Sequence, residues 1–126
     1  MAQDTQIVLK LADGLEILPE LKKLSMERDE KVLAVTSCRG KIKEFELMYQ
    51  NRDGRTVKNF FREPHKLVHT SGALEKNESD SQVTLNVSVS KDGFVTTAGK
   101  LLSGKAAGDL SLEFKGVENI KSIRTW

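Results

Sequence analysis

The sequence predicts an α+β fold, a mainly antiparallel β-sheet with one long N-terminal helix. Three observations predict it. Most of the chain alternates apolar and polar residues with period two, the period of a half-buried strand. Asp53-Gly54 and Asp92-Gly93 sit between such segments and supply the positive φ that tight hairpins need. Only the stretch from Leu15 to about Glu30 repeats apolar residues at helical spacing.

Taken in order, Gln6 to Leu11 is aliphatic and β-branched and predicts a first strand. Asp13-Gly14 interrupts it. Leu15, Leu18, Leu21 and Leu24 then recur every third residue with Glu16, Glu20, Lys22 and Lys23 on the other side, so an amphipathic helix is expected, fading near Arg28 to Glu30. Asp13 is placed to cap it, and Glu16 three positions on would complete a capping box. Pro19 is tolerable if it lies in the first turn. Lys31 to Cys38 reads as a short apolar strand and Arg39-Gly40 as a turn. Phe45, Leu47 and Tyr49 then alternate with Glu44, Glu46 and Met48, so one face of that strand is buried. Asn51 to Gly54 is a hairpin turn, and Arg55 to Phe61 returns as a strand. Glu63-Pro64 breaks it, His65 to Ser71 starts another, and Glu75 to Ser81 is polar enough for a loop tip. In Gln82 to Ser90, Val83, Leu85, Val87 and Val89 face one way while Thr84, Asn86, Ser88 and Ser90 face the other. Lys91-Asp92-Gly93 turns the chain into Phe94 to Leu102. Leu110, Leu112 and Phe114 alternate once more, and a last strand is expected around Ile120 to Thr125. Together these make about eight or nine short strands and one long helix.

A length of 126 residues suits a single domain, 1–126. Twenty basic and 18 acidic residues leave a formal charge of +2, far from the dense basic field of a strong non-specific DNA binder. One cysteine excludes an internal disulfide framework and a cysteine-based structural zinc site. The polar start, Met1 to Gln6, lacks the basic and apolar regions of a secretory signal. No apolar run approaches the roughly 18 residues of a membrane helix. The expectation is a cytoplasmic protein that does not enter a membrane, with Cys38 reduced. A Gly-rich phosphate loop, a serine elbow and catalytic-triad spacing are all missing, and no cofactor is expected.

The ordered segments resemble the PPC domain, the "plants and prokaryotes conserved" domain, over roughly Gln6 to Glu118. Leu11-Ala12-Asp13-Gly14-Leu15-Glu16 is similar to the family's Leu-x-x-Gly start before its helix. Val35-Thr36-Ser37-Cys38-Arg39-Gly40 sits where the family has a Ser-Gly-x-Gly turn, with Cys38 replacing its first glycine. Phe45 to Tyr49 resembles the next strand, and Glu63 to Leu74 the segment running to a Ser-Gly-x-Ile turn. Leu85 to Gly93 and Ala98 to Gly104 resemble the closing hairpin. No one of these motifs is specific; their order and spacing are. The resemblance implies a strongly bent antiparallel sheet related to that of acetolactate decarboxylase, a homotrimer, and the stand-alone bacterial type of the family. In plants the domain accompanies AT-hook DNA-binding motifs, and this chain has none. Many bacterial members carry three histidines fit for a divalent metal; the matching positions here are Thr84, Asn86 and Lys100, so no metal is expected.

Two sets of residues are candidates for binding. Asn86, Ser88, Gly99 and Lys100 would form a small polar pocket on the non-core face of the closing hairpin, with Lys100 anchoring an anion. The plainer reading is a solvated sheet face or a subunit contact. Arg52, Arg55, Lys58, Arg62 and Lys66 form the most basic stretch, with His65 beside Lys66 and with Phe60 and Phe61 interleaved to stack on single-stranded bases. The plainer reading is an exposed hairpin whose phenylalanines pack, because Asp53 and Glu63 dilute the charge. Cys38 is either a thiolate activated by Arg39 and Lys41 or a small packed residue. His65 and His69, four apart on one strand, would share a face about 13 Å apart and could not share a metal without a bulge. The leading expectation is therefore a non-enzymatic, homotrimeric assembly or regulatory module in which DNA association is weakly supported, with a small-molecule pocket at the closing hairpin as the alternative.

Overall fold

The computed structural model describes residues 6–117. The element order is β1 (Gln6–Leu11), α1 (Ile17–Glu27), β2 (Val32–Gln50), β3 (Thr56–Phe61), β4 (His65–Lys76), β5 (Ser81–Ser90) and β6 (Thr96–Val117). The expected strand around Ile120 to Thr125 lies outside the described residues. The fold is α+β and mostly antiparallel sheet, but the helix is neither long nor N-terminal: it has 11 residues and follows β1.

The strands form one sheet in the order β1-β6-β5-β4-β2-β3, and β6 also pairs with β2. The pairings β6–β5–β4–β2–β6 therefore close a circuit, leaving β1 and β3 attached to its rim. Closure needs strongly curved strands, and the curvature sits in β-bulges. The β2–β6 ladder runs from Val32↔Val117 to Met48↔Lys100 with register shifts at Val35/Ser37, Arg39/Lys41, Lys43/Glu46 and Glu46/Leu47. Arg39-Gly40 is thus no turn: β2 passes through it as a bulge. Gly40 has φ +130, and a Cβ there would lie 2.8 Å from the Asp109 carbonyl oxygen, so only glycine fits without strain. The small-residue run Gly104 to Gly108 likewise fails to end β6, because Lys43, Ile42 and Lys41 pair with Lys105, Ala106 and Ala107. Fewer, longer strands replace the expected eight or nine for this reason.

The inside of the circuit is apolar. Leu33, Phe45, Leu47, Leu74, Val89 and Phe114 are all fully buried, and burying such a side chain contributes roughly 1.5–3 kcal/mol. Phe45 stacks on Phe61 with ring centroids 4.9 Å apart. The helix covers β4, β5 and β6 with Ile17, Leu21 and Ser25, at spacing i, i+4, i+8. Leu18 and Leu24 pack at the margin of the core, and Leu15 lies before the helix and is exposed, so the leucine repeat identified the helix but not its buried stripe. Pro19 falls in the first turn, where its missing N–H would have no intrahelical partner.

The expected capping box is not formed. Glu16 occupies the N-cap without a side-chain bond. The Asp13 carboxylate instead accepts the Gly108 N–H at 2.7 Å and the Lys43 ammonium at 3.1 Å, which pins the β1–α1 connection to β6 and β2. These contacts, the Gly108 bond first, hold the Asp13 carboxyl below its ordinary value.

Candidate functional site

Cross-strand register decides which exposed side chains meet, since directly paired residues share a face. Lys58 of β3 pairs with Met48 of β2, Met48 with Lys100 of β6, Lys100 with Asn86 of β5, and Asn86 with Ser71 of β4. One row thus crosses five strands on the face turned away from the core. The next row places Ala98, Ser88 and His69 beside it. At the usual strand spacing, the Cα atoms of Lys58 and Lys100 stand about 10 Å apart with Met48 between them. Apart from Lys58, these rows line a cleft of about 430 Å³ that includes Tyr49, His69, Ser71, Asn86, Ser88 and Lys100.

All four pocket candidates come together here, but not in equal roles. Asn86, Ser88 and Lys100 project from the outward parity, because their neighbours Val87, Val89 and Leu101 are buried. Gly99 pairs with Val87 and has the inward parity. It lines the cleft only through backbone, and a Cβ on it would sit 2.9 Å from the Met48 carbonyl oxygen. Its contribution is close approach of β6 to β2, not a ligand group.

The basic candidates divide. Lys58 joins the row with Lys100. Arg52 and Arg55 are exposed in the β2–β3 turn, which Asn51 holds by accepting the N–H groups of Asp53 and Arg55, both at 3.0 Å. Lys66 also has outward parity, yet it lies directly opposite Lys41 in one row with Ser90. Arg62 is exposed in the β3–β4 connection. Phe61 does not serve a stacking platform, because Phe45 and His65 hold it against the core. Phe60 is 59% exposed and keeps that possibility.

The two histidines do not share a face. A register shift between Leu67 and His69 turns His69 outward opposite Ser88, whereas His65 pairs with buried Ile42. The His65 ring sets its edge against Phe45 at 5.2 Å and Phe61 at 5.3 Å. His69, which carried no binding role in the sequence reading, becomes a cleft residue. The only sequence signal for that shift is the exposed Val68 in an otherwise alternating strand, and it is faint.

Cys38 is half-buried opposite Leu112. Burial pushes its thiol up, the Thr70 hydroxyl opposes this, and the Glu113 carboxylate adds to the rise. The arrangement is that of a packed thiol, and the surroundings do not favour the alternative of a thiolate activated by Arg39 and Lys41. A three-imidazole metal centre does not fit the cleft. Thr84, Asn86 and Lys100 offer a hydroxyl, an amide and an ammonium, and the ammonium stands directly across from the amide. Among the described residues no three His, Cys, Asp or Glu side chains gather as a metal-binding group.

A closed antiparallel circuit with one helix over its mouth and a polar cleft on its back defines the class: a small α+β domain built around a bent sheet. The chain belongs to the Plants and Prokaryotes Conserved (PCC) domain family, whose profile matches residues 1–112. Solved structures share the fold. A metal-containing protein of Archaeoglobus fulgidus is 18% identical over 90% of this chain and 80% of its own, with a TM-score of 0.77. A plant- and prokaryote-conserved protein of Pyrococcus horikoshii is 13% identical over 90% and 79%, with a TM-score of 0.74. A candidate DNA-binding protein of Bacteroides thetaiotaomicron is 19% identical over 88% and 78%, with a TM-score of 0.75. No curated protein matches the chain.

Proposed function

We propose that this chain is a non-enzymatic regulatory binding module that assembles as a homotrimer and holds anionic partners, DNA among them, on the outer face of its sheet. The observation that carries the reading is the five-strand row from Lys58 through Lys100 to Ser71. It joins a lysine from the basic stretch to the lysine of the polar cleft across Met48, with the Asn86 amide and the Ser71 hydroxyl following on the far side of Lys100. That combination suits phosphate oxygens, which take both charge and neutral hydrogen bonds. The charge of +2 per chain limits affinity for a single copy, and three copies would bring several such rows to one partner.

Assembly has separate support. Phe94 and Val95, at the β5–β6 hairpin tip, are 90% and 68% exposed. The tip is held in shape, since the Asp92 carboxylate accepts the N–H groups of Phe94 at 2.8 Å and Val95 at 3.2 Å. The Ser90 hydroxyl accepts the Gly93 N–H at 2.8 Å. A rigid, exposed aromatic loses little entropy on burial against another copy. The trimeric count rests on the family resemblance. The reading places the module in the cytoplasm, and no described helix is long and apolar enough to cross a membrane. The outer cleft also favours a second reading, a small polar ligand held by Asn86, Ser88 and Lys100.

A duplex-DNA titration at rising salt tests the main reading. The expected result is affinity that falls steeply with salt and a slope lowered by about one for each of Lys58→Ala and Lys100→Ala. Absence of binding at low salt, or a slope that both variants leave unchanged, contradicts it.

A further inference from the structure

A second cavity lies on the other side of the closing hairpin. Pairing between β5 and β6 stops at Asn86↔Lys100, although β5 stays on β4 as far as Ser81 and β6 stays on β2 through Lys105↔Lys43. The next link on that side is a single bridge, Glu16↔Lys105, just before α1. The edges of β5 and β6 therefore part, and the first turns of α1 span the gap. The space between them, partly open to solvent, is about 610 Å³, well within the range of small-molecule sites. Its apolar walls are Leu18, Pro19, Val83 and Leu102, and Gln82 and Ser103 add neutral polar groups.

Two features define what the cavity would take. The charged lining cancels: Glu16 and Glu44 face Lys22 and Lys105, and Lys105 stands 3.5 Å from Glu44. Lys22 is further engaged by Asp80 at 2.9 Å. A charged ligand gains no net field there. The second feature is Ser81, which lines the cavity at 7% exposure and whose buried hydroxyl has no hydrogen-bond partner among the described residues. A buried hydroxyl without a partner is costly, and native structures rarely keep one without a reason. Ser25 and Thr70 have similar hydroxyls, but neither residue lines this cavity.

We propose that the cavity between β5, β6 and α1 binds an uncharged, largely apolar small molecule carrying one carbonyl or hydroxyl group that bonds to Ser81. The apolar body packs on Leu18, Pro19, Val83 and Leu102, and the polar group completes the serine. The site shares no lining residue with the outer cleft.

Prodan, a neutral naphthalene ketone, is the probe. Titrated into the full chain, it is expected to bind saturably at one site per chain with blue-shifted emission. Ser81→Ala should weaken binding by about five- to tenfold, the worth of one neutral hydrogen bond. It should also raise the denaturant midpoint of the ligand-free chain, because an unpaired buried polar group is removed. Leu102→Trp, which fills the cavity, should abolish binding. In the unmodified chain, amide shifts on adding prodan should centre on residues 18–22, 81–83 and 102–105. The proposal is overturned by absence of saturable binding or by shifts centred instead on Asn86 and Lys100. It is equally overturned by a Ser81→Ala variant that binds as tightly as the parent. Tighter binding of the anionic 1-anilinonaphthalene-8-sulfonate than of prodan would overturn the neutral ligand class.

Discussion

The two faces of the same strands differ in kind, although their residues alternate along the chain. Leu47, Val87 and Leu101 point into the circuit and are at most 2% exposed. Their immediate neighbours Met48, Asn86, Ser88 and Lys100 point out and line the cleft. The inner face is fixed by packing, which tolerates loss of volume poorly. The outer face is held only by the backbone beneath it. Its side chains are therefore open to change for binding without cost to the fold. Perturbing each face in turn should produce opposite outcomes.

The largest effect is expected inside. Phe45→Ala removes a fully buried ring stacked on Phe61 and should cost about 3–5 kcal/mol in chemical denaturation. A loss below about 1 kcal/mol would mean the two faces are not energetically distinct. Gly40→Ala comes next. Its Cβ would meet the Asp109 carbonyl oxygen at a backbone φ that L-residues avoid, so about 2 kcal/mol should be lost, again by denaturation midpoint.

The outer face should behave otherwise. Lys100→Ala and Lys58→Ala should each leave stability within about 0.5 kcal/mol while lowering the salt slope of DNA binding. Phe94→Ser should likewise spare the fold of the single chain but shift the assembly toward monomer in sedimentation.

The smallest effect concerns pH. The folded-state carboxyl of Asp13 is depressed, first by the Gly108 N–H and then by Lys43. Its contribution is therefore present above the ordinary value of 3.8 and is lost as pH falls through the lower folded value. Denaturation midpoints followed from about pH 6 to about pH 3 should decline more for the parent than for Asp13→Asn, which lacks that titration. Parallel declines would remove Asp13 from the fastening of the β1–α1 connection.

Much of the inner face was legible in the sequence. The alternation from Gln82 to Ser90 set Leu85, Val87 and Val89 on the buried face, though Ser90 is buried too and Ser81, expected in a loop tip, opens β5. The two Asp-Gly turns fell where hairpins occur. Bulges hid the rest. Gly40 resembles a turn residue in sequence because positive φ serves turns and bulges alike, and only the long β6 partner decides between them. The shift at Leu67/His69 reversed the face of His69, which period two alone would have buried. The outer row was missed as a unit because register across five strands is a long-range property, so Lys58 and Lys100 read as members of separate sites. The Ser81 cavity was invisible for the same reason: it exists only where two paired strands part. Asp13 illustrates a further limit, since an aspartate before a helix reads as a cap unless a distant N–H such as that of Gly108 claims it.

The central claim is that the outer face works in an assembly of three chains. Light scattering on the eluting native protein at micromolar concentration measures this directly. Three chains of 14.1 kDa give a mass of about 42 kDa, the predicted result. A dominant species of 14.1 kDa would contradict it.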